Sequence, residues 1–143
     1  MKPDIRNDGR IVKISIYGNG LIAGGLVFGT HHVLVVLKTD SDNFILLEVE
    51  KCGNGKININ KGIAATLSGV LAKRHNMEAK TTFWRSAEVN KISPSVIQEI
   101  INQYHGSDYH ALESSCRTFV DAICCKCGTD IRCVMSNEWW AFW

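Results

Sequence analysis

The sequence predicts an α+β domain. Alternating or β-branched runs separated by turn residues fill its first half, and apolar residues at helical spacing fill its second. The scale agrees: 143 residues is one domain, long enough to bury about two-thirds of the surface that the unfolded chain exposes.

The elements follow in order. Residues 1–10 read as a polar arm and lack the apolar core of a signal peptide. From Ile11 to Tyr17 the chain alternates, Val12, Ile14 and Ile16 against Ile11, Lys13 and Ser15, which is the period of a strand. Gly18-Asn19-Gly20 is a turn. The longest apolar stretch, Leu21 to Leu37, is broken by Gly24, Gly25, Gly29, His31 and His32. It therefore reads as two strands around a turn and not as a membrane span. The run from His32 to Leu37 suits a buried strand, the cluster Thr39 to Asn43 turns the chain, and Phe44 to Glu50 is the partner strand of a hairpin. Asn54-Gly55 marks another turn before a short strand, Lys56 to Ile59.

The period then changes. Ile63, Ala64, Leu67, Val70 and Leu71 fall on one helical face, predicting a helix near 61–74 with Asn60 as N-cap. Thr81 to Trp84 is extended. Ser93-Pro94 opens the next helix, near 93–105, with serine as N-cap and proline in the first position. Its stripe is Val96, Ile97, Ile100, Ile101 and Tyr104, and Gly106 stops it. A last helix, near 116–127, carries Cys116, Phe119, Val120, Ile123, Cys124 and Cys127 on one face and ends at Gly128. Residues 129–143 form an aromatic-rich tail behind a domain spanning 11–128.

Composition narrows the function classes. The chain is 45% hydrophobic and 21% charged with a net charge of +2, which is globular and excludes a disordered tail, a collagen-like repeat or a coiled coil. So small a charge leaves no electrostatic footprint for nucleic acid. The 6 cysteines are too unevenly spread for a disulfide framework. Without an export signal the expected compartment is the reducing cytoplasm, with the cysteines as thiols. No cofactor is expected.

Chemistry concentrates before the last helix. The polar loop Glu113-Ser114-Ser115 leads into a first turn that carries Cys116. A thiol there lies at the positive end of a helix dipole, which favours the thiolate, the nucleophilic form. The same residue also reads as a core cysteine opening an apolar face. A nucleophilic thiolate needs a base, and His31 and His32 open an apolar strand; successive strand residues face opposite sides, so one of the two would serve. Cys124-x-x-Cys127, with Cys125 and Cys133, has the local spacing of a zinc site, but Cys124 and Cys127 lie on the apolar helix face and no second ligand pair follows. In the tail, Trp139, Trp140, Phe142 and Trp143 could dock on the core, meet a protein partner or sit at a membrane surface.

Together these segments resemble the permuted papain-like (NlpC-type) thiol hydrolases, and within them the lecithin-retinol acyltransferase family with its small phospholipase/acyltransferase branch. That family pairs a histidine opening an apolar strand with an Asn-Cys-x-x-Phe-Val motif preceded by Tyr-x-Leu. The counterparts here are His32 or His31, and Ser115-Cys116-Arg117-Thr118-Phe119-Val120 preceded by Tyr109 and Leu112 with one extra residue between. The strand length after the histidine favours His32 and the aromatic that commonly follows the base favours His31; His32 is the expected base.

The resemblance implies an antiparallel sheet packed on about three helices and a lipid, phospholipid or other acyl substrate. Cys116 would be the nucleophile, His32 or His31 the base and Glu48 its orienter, with an oxyanion hole at the backbone of Ser115 and Cys116. The chain departs from the family in three ways. Ser115 stands where the family has asparagine. The strand after the base offers Glu48 where the family often has histidine. The tail lacks the long apolar anchor of the phospholipase branch. Two other readings stay open: a non-catalytic interaction protein on the same scaffold, as in viral proteins with an H-box and an Asn-Cys motif, and a PPPDE-type ubiquitin or SUMO isopeptidase.

Overall fold

The computed structural model describes residues 2–18, 21–23, 26–28, 33–75, 82–110 and 115–129. Strands β1 (Ile11–Gly18), β4 (Val33–Thr39), β5 (Phe44–Lys51), β6 (Ile57–Ala64) and β7 (Thr82–Ile92) form one sheet in the order β6-β5-β4-β1-β7. Every pairing in it is antiparallel. β2 (Leu21–Ala23) and β3 (Leu26–Phe28) pair separately as a hairpin. The helices are α1 (Leu67–Leu71), α2 (Pro94–Tyr104) and α3 (Cys116–Lys126). The class is α+β, as the run of strands before helices implies.

The pleat sorts side chains to two faces. Ile14 and Ile16 of β1, Val33, Val35 and Leu37 of β4, and Ile45, Leu47 and Val49 of β5 pack in one cluster with Ile97 and Ile101 of α2 and Phe119, Val120 and Ile123 of α3. The ring of Tyr104 meets that of Phe119 edge-on, centroids 5.4 Å apart, where α2 crosses α3. On the other face Tyr17, Leu34, Val36 and Leu46 pack with Val70 of α1. With both faces covered, β4 carries an unbroken apolar run from Val33 to Leu37.

Both long helices match their sequence signals. Ser93 caps α2 with proline in its first turn, and the predicted stripe of α3 is buried from Cys116 through Cys127. Gly106 and Gly128, at φ 82° and 73°, take up the left-handed backbone that ends each helix.

Other elements differ from expectation. The helix near 61–74 shrinks to Leu67–Leu71, capped by Thr66 rather than Asn60, and β6 runs on to Ala64. Ile63 and Ala64, counted on the helical stripe, lie instead opposite Ile45 and Phe44. Gly62 fits this arrangement, since a Cβ there would stand 3.0 Å from the Lys73 Cβ. The stretch 21–37 holds three strands rather than two. β7 extends well past Trp84 through a polar segment; at the edge of the sheet it needs no continuous apolar run. Residues 2–10 include Ile5, fully buried in the main core, whose N–H donates to Gln98 Oε1 at 2.9 Å. Lys61 adds a half-buried ion pair to Asp8 at 2.5 Å.

The outer edge of β6 is covered at Ile57 and Ile59 by the connection after α2. Ile57 N–H donates to the Ser107 carbonyl at 2.8 Å, Gly106 N–H to the Ile57 carbonyl at 2.8 Å, and Ile59 N–H to His105 Nδ1 at 3.1 Å. Tyr109 N–H then donates to the Gly55 carbonyl at 2.8 Å.

Candidate functional site

Cys116 is the first residue of α3, and Ser115 is its N-cap. Ser115 N–H donates to Thr118 Oγ1 at 2.7 Å, and Thr118 N–H donates to Ser115 Oγ at 3.4 Å, a reciprocal capping box. Serine and asparagine are comparable N-caps, so Ser115 does at this corner the structural work that asparagine would do. Its hydroxyl is turned into the helix and buried.

The thiol beside it is 5% exposed and packs in the helix-face cluster that also holds Val33. Tyr109 lies within electrostatic reach. Burial first, and then the negative charge of a Cys116 thiolate, push the tyrosine hydroxyl above its ordinary value, while Arg117 pulls it back. Lys51, at the end of β5, holds its ammonium 5.3 Å from the centroid of the Tyr109 ring. Lys56 and Asp108 add an exposed ion pair at 2.6 Å. The sequence had singled out Tyr109 only as part of a motif, and Lys51 not at all. The register that carries β5 past its hairpin partner to Lys51 is a tertiary fact with no local signal.

Glu48 is elsewhere. It pairs across with Leu34 and Asn60, shares the pleat of Leu46, and so belongs to the face that α1 covers. Its carboxylate is buried and accepts the His75 N–H at 2.6 Å. The sheet brings Cys116, Ser115 and Tyr109 to one side and puts Glu48 on the other. His31 and His32 lie outside the described residues, which resume at Val33.

Cys124 and Cys127 are core thiols, and burial pushes the Cys127 thiol up to about 11. A thiol so raised is a poor metal ligand at neutral pH, because coordination needs the thiolate. Cys125 is exposed, and Cys133 lies outside the described residues, as do Trp139, Trp140, Phe142 and Trp143. Among the described residues no group of three or more His, Cys, Asp or Glu could hold a metal ion. No helix among them is long and apolar enough to cross a membrane.

Comparison with known proteins leaves the assignment to this geometry. No protein-family model, no curated protein and no solved structure matches the chain.

Proposed function

We propose that Cys116 is the nucleophile of an acyl-transfer site on a permuted papain-like scaffold. One observation carries the reading: Cys116 opens a capped helix of 11 residues and shares its apolar cluster with Val33, the residue that directly follows His31-His32. In this proposal the base is His32, which the strand length after the histidine favours. His31 is the alternative. The imidazole takes the Cys116 proton, the sulfur adds to an acyl carbonyl, and backbone N–H groups at the helix start hold the oxyanion. The protonated imidazole then returns its proton to the leaving group. Water, or an amine or hydroxyl acceptor, releases the acyl group from sulfur.

The proposed substrate is a lipid or phospholipid acyl group. The isopeptidase reading gains from the position of Glu48, because a PPPDE-type site needs no third residue on the strand after the base. The scaffold-only reading draws on the deep burial of Cys116.

The test is the alkylation rate of each cysteine against pH, read by peptide mass. Exposed Cys125 serves as the ordinary thiol and buried Cys127 as the slow one. We expect Cys116 to outpace Cys125 at least tenfold near pH 6, and His32→Ala to abolish the advantage, as a paired thiolate requires. His31→Ala removing it instead would exchange the two histidines. A Cys116 that reacts no faster than Cys125 at any pH ends the enzyme reading. An acyl adduct on Cys116 from a short-chain phospholipid, or capture by a ubiquitin-like electrophile, then separates the two substrate classes.

A further inference from the structure

The face of the sheet away from Cys116 carries a cleft of about 340 Å³. Ser15 and Val36, cross-strand partners on β1 and β4, form its floor. Phe44 and Leu67 wall one side where α1 ends its cover of the sheet, and Tyr17 lies on β1 two residues beyond Ser15. Leu67 is 39% exposed, so its apolar surface is available to a ligand. Lys13 and Lys38 lie directly opposite each other in the β1–β4 register, in one cross-strand row with Phe44, the β5 partner of Lys38.

Like charges in that position repel. Among the described residues neither ammonium has an ion pair or hydrogen bond. The acid nearest in register, Glu88 across from Lys13 on β7, makes no ion pair with it. The cleft thus combines an apolar floor and wall with two cationic groups, the pattern of a site for an amphiphilic anion. Its volume is at the small end of ligand pockets, which run roughly 300–1,000 Å³, and suits one chain rather than two.

We propose that this cleft binds a single-chain fatty carboxylate, its head between Lys13 and Lys38 and its chain over Val36 against Phe44 and Leu67. The site is independent of the thiol chemistry proposed above, from which the sheet separates it. Charge-assisted hydrogen bonds from two ammonium groups orient the head, and the apolar contacts supply the remaining affinity.

The experiment is displacement of a dansyl-labelled fatty acid from the full chain by dodecanoate, with dodecanol as the uncharged control. We expect saturable binding of dodecanoate below its micelle range. The double variant Lys13→Gln, Lys38→Gln should weaken dodecanoate roughly tenfold, equivalent to about 1.4 kcal/mol, and leave dodecanol unchanged. Leu67→Glu, at an exposed helix position, should weaken both. Prior alkylation of Cys116 should change neither. Absence of saturable binding, equal affinity in the double variant, or loss of binding on Cys116 alkylation would each overturn the proposal.

Discussion

Glu48 and Cys116 stand on opposite faces of the same sheet, Glu48 in step with Leu46 under α1 and Cys116 in the cluster beneath α2 and α3. The relationship follows from pairing Leu34 with Glu48: a residue on that step of β5 turns away from the helix that carries the thiol. Tyr109, by contrast, packs against the thiol's own cluster, and its hydroxyl senses the charge of a Cys116 thiolate.

Replacing Glu48 with alanine should separate stability from reactivity. The buried carboxylate accepts the His75 N–H, and its loss removes a hydrogen bond to a charged group, worth about 1.5–3 kcal/mol. Urea unfolding should register that loss while the pH profile of Cys116 alkylation stays in place. A displaced profile in a folded Glu48→Ala variant would mean that the carboxylate acts on the thiol through the sheet.

His105 should make stability fall on acidification. Its Nδ1 accepts the Ile59 N–H, and burial, with the positive charges of the amino terminus and Lys2, holds its pKa below the ordinary 6.5. A depressed folded value means that the unfolded chain takes up the proton first. The contribution is fully present above 6.5 and is lost as pH falls through the lower folded value. Unfolding free energies at about pH 7.5 and about pH 5 should therefore differ more in the native chain than in His105→Gln. Equal differences would show that another group carries the slope.

Ile5→Ala tests whether the first residues belong to the folded unit. Ile5 is fully buried in the main core, and truncating such a side chain costs about 2–5 kcal/mol. A denaturant midpoint that barely moves would return residues 2–10 to the status of an arm.

The sequence was most legible where burial has a period and a stop. The stripe from Cys116 to Cys127 and the Ser93-Pro94 start are local signals, and α2 and α3 reproduce them. Ile63 and Leu67 misled because apolar residues four apart satisfy both a helix face and a strand followed by a turn; the pairing of Ile63 with Ile45 decided between them. Ile5 was illegible because one isoleucine among polar residues has no period, and Gln98, which anchors it, lies 93 residues further along the chain on α2. For the site, the position of Cys116 at a helix start could be read directly. The face occupied by Glu48 could not, since it depends on a register set between strands.

The covering of β6 at Ile57 and Ile59 has a consequence for self-association. Open-ended growth of a sheet from molecule to molecule needs two receptive borders on each subunit, one to give and one to take. Here the donors at Ile57 and Ile59 are already committed to Ser107 and His105 within the same chain. At Ile57 and Ile59 the border cannot take a strand from a second molecule, so the turn after α2 works there as a chain terminator.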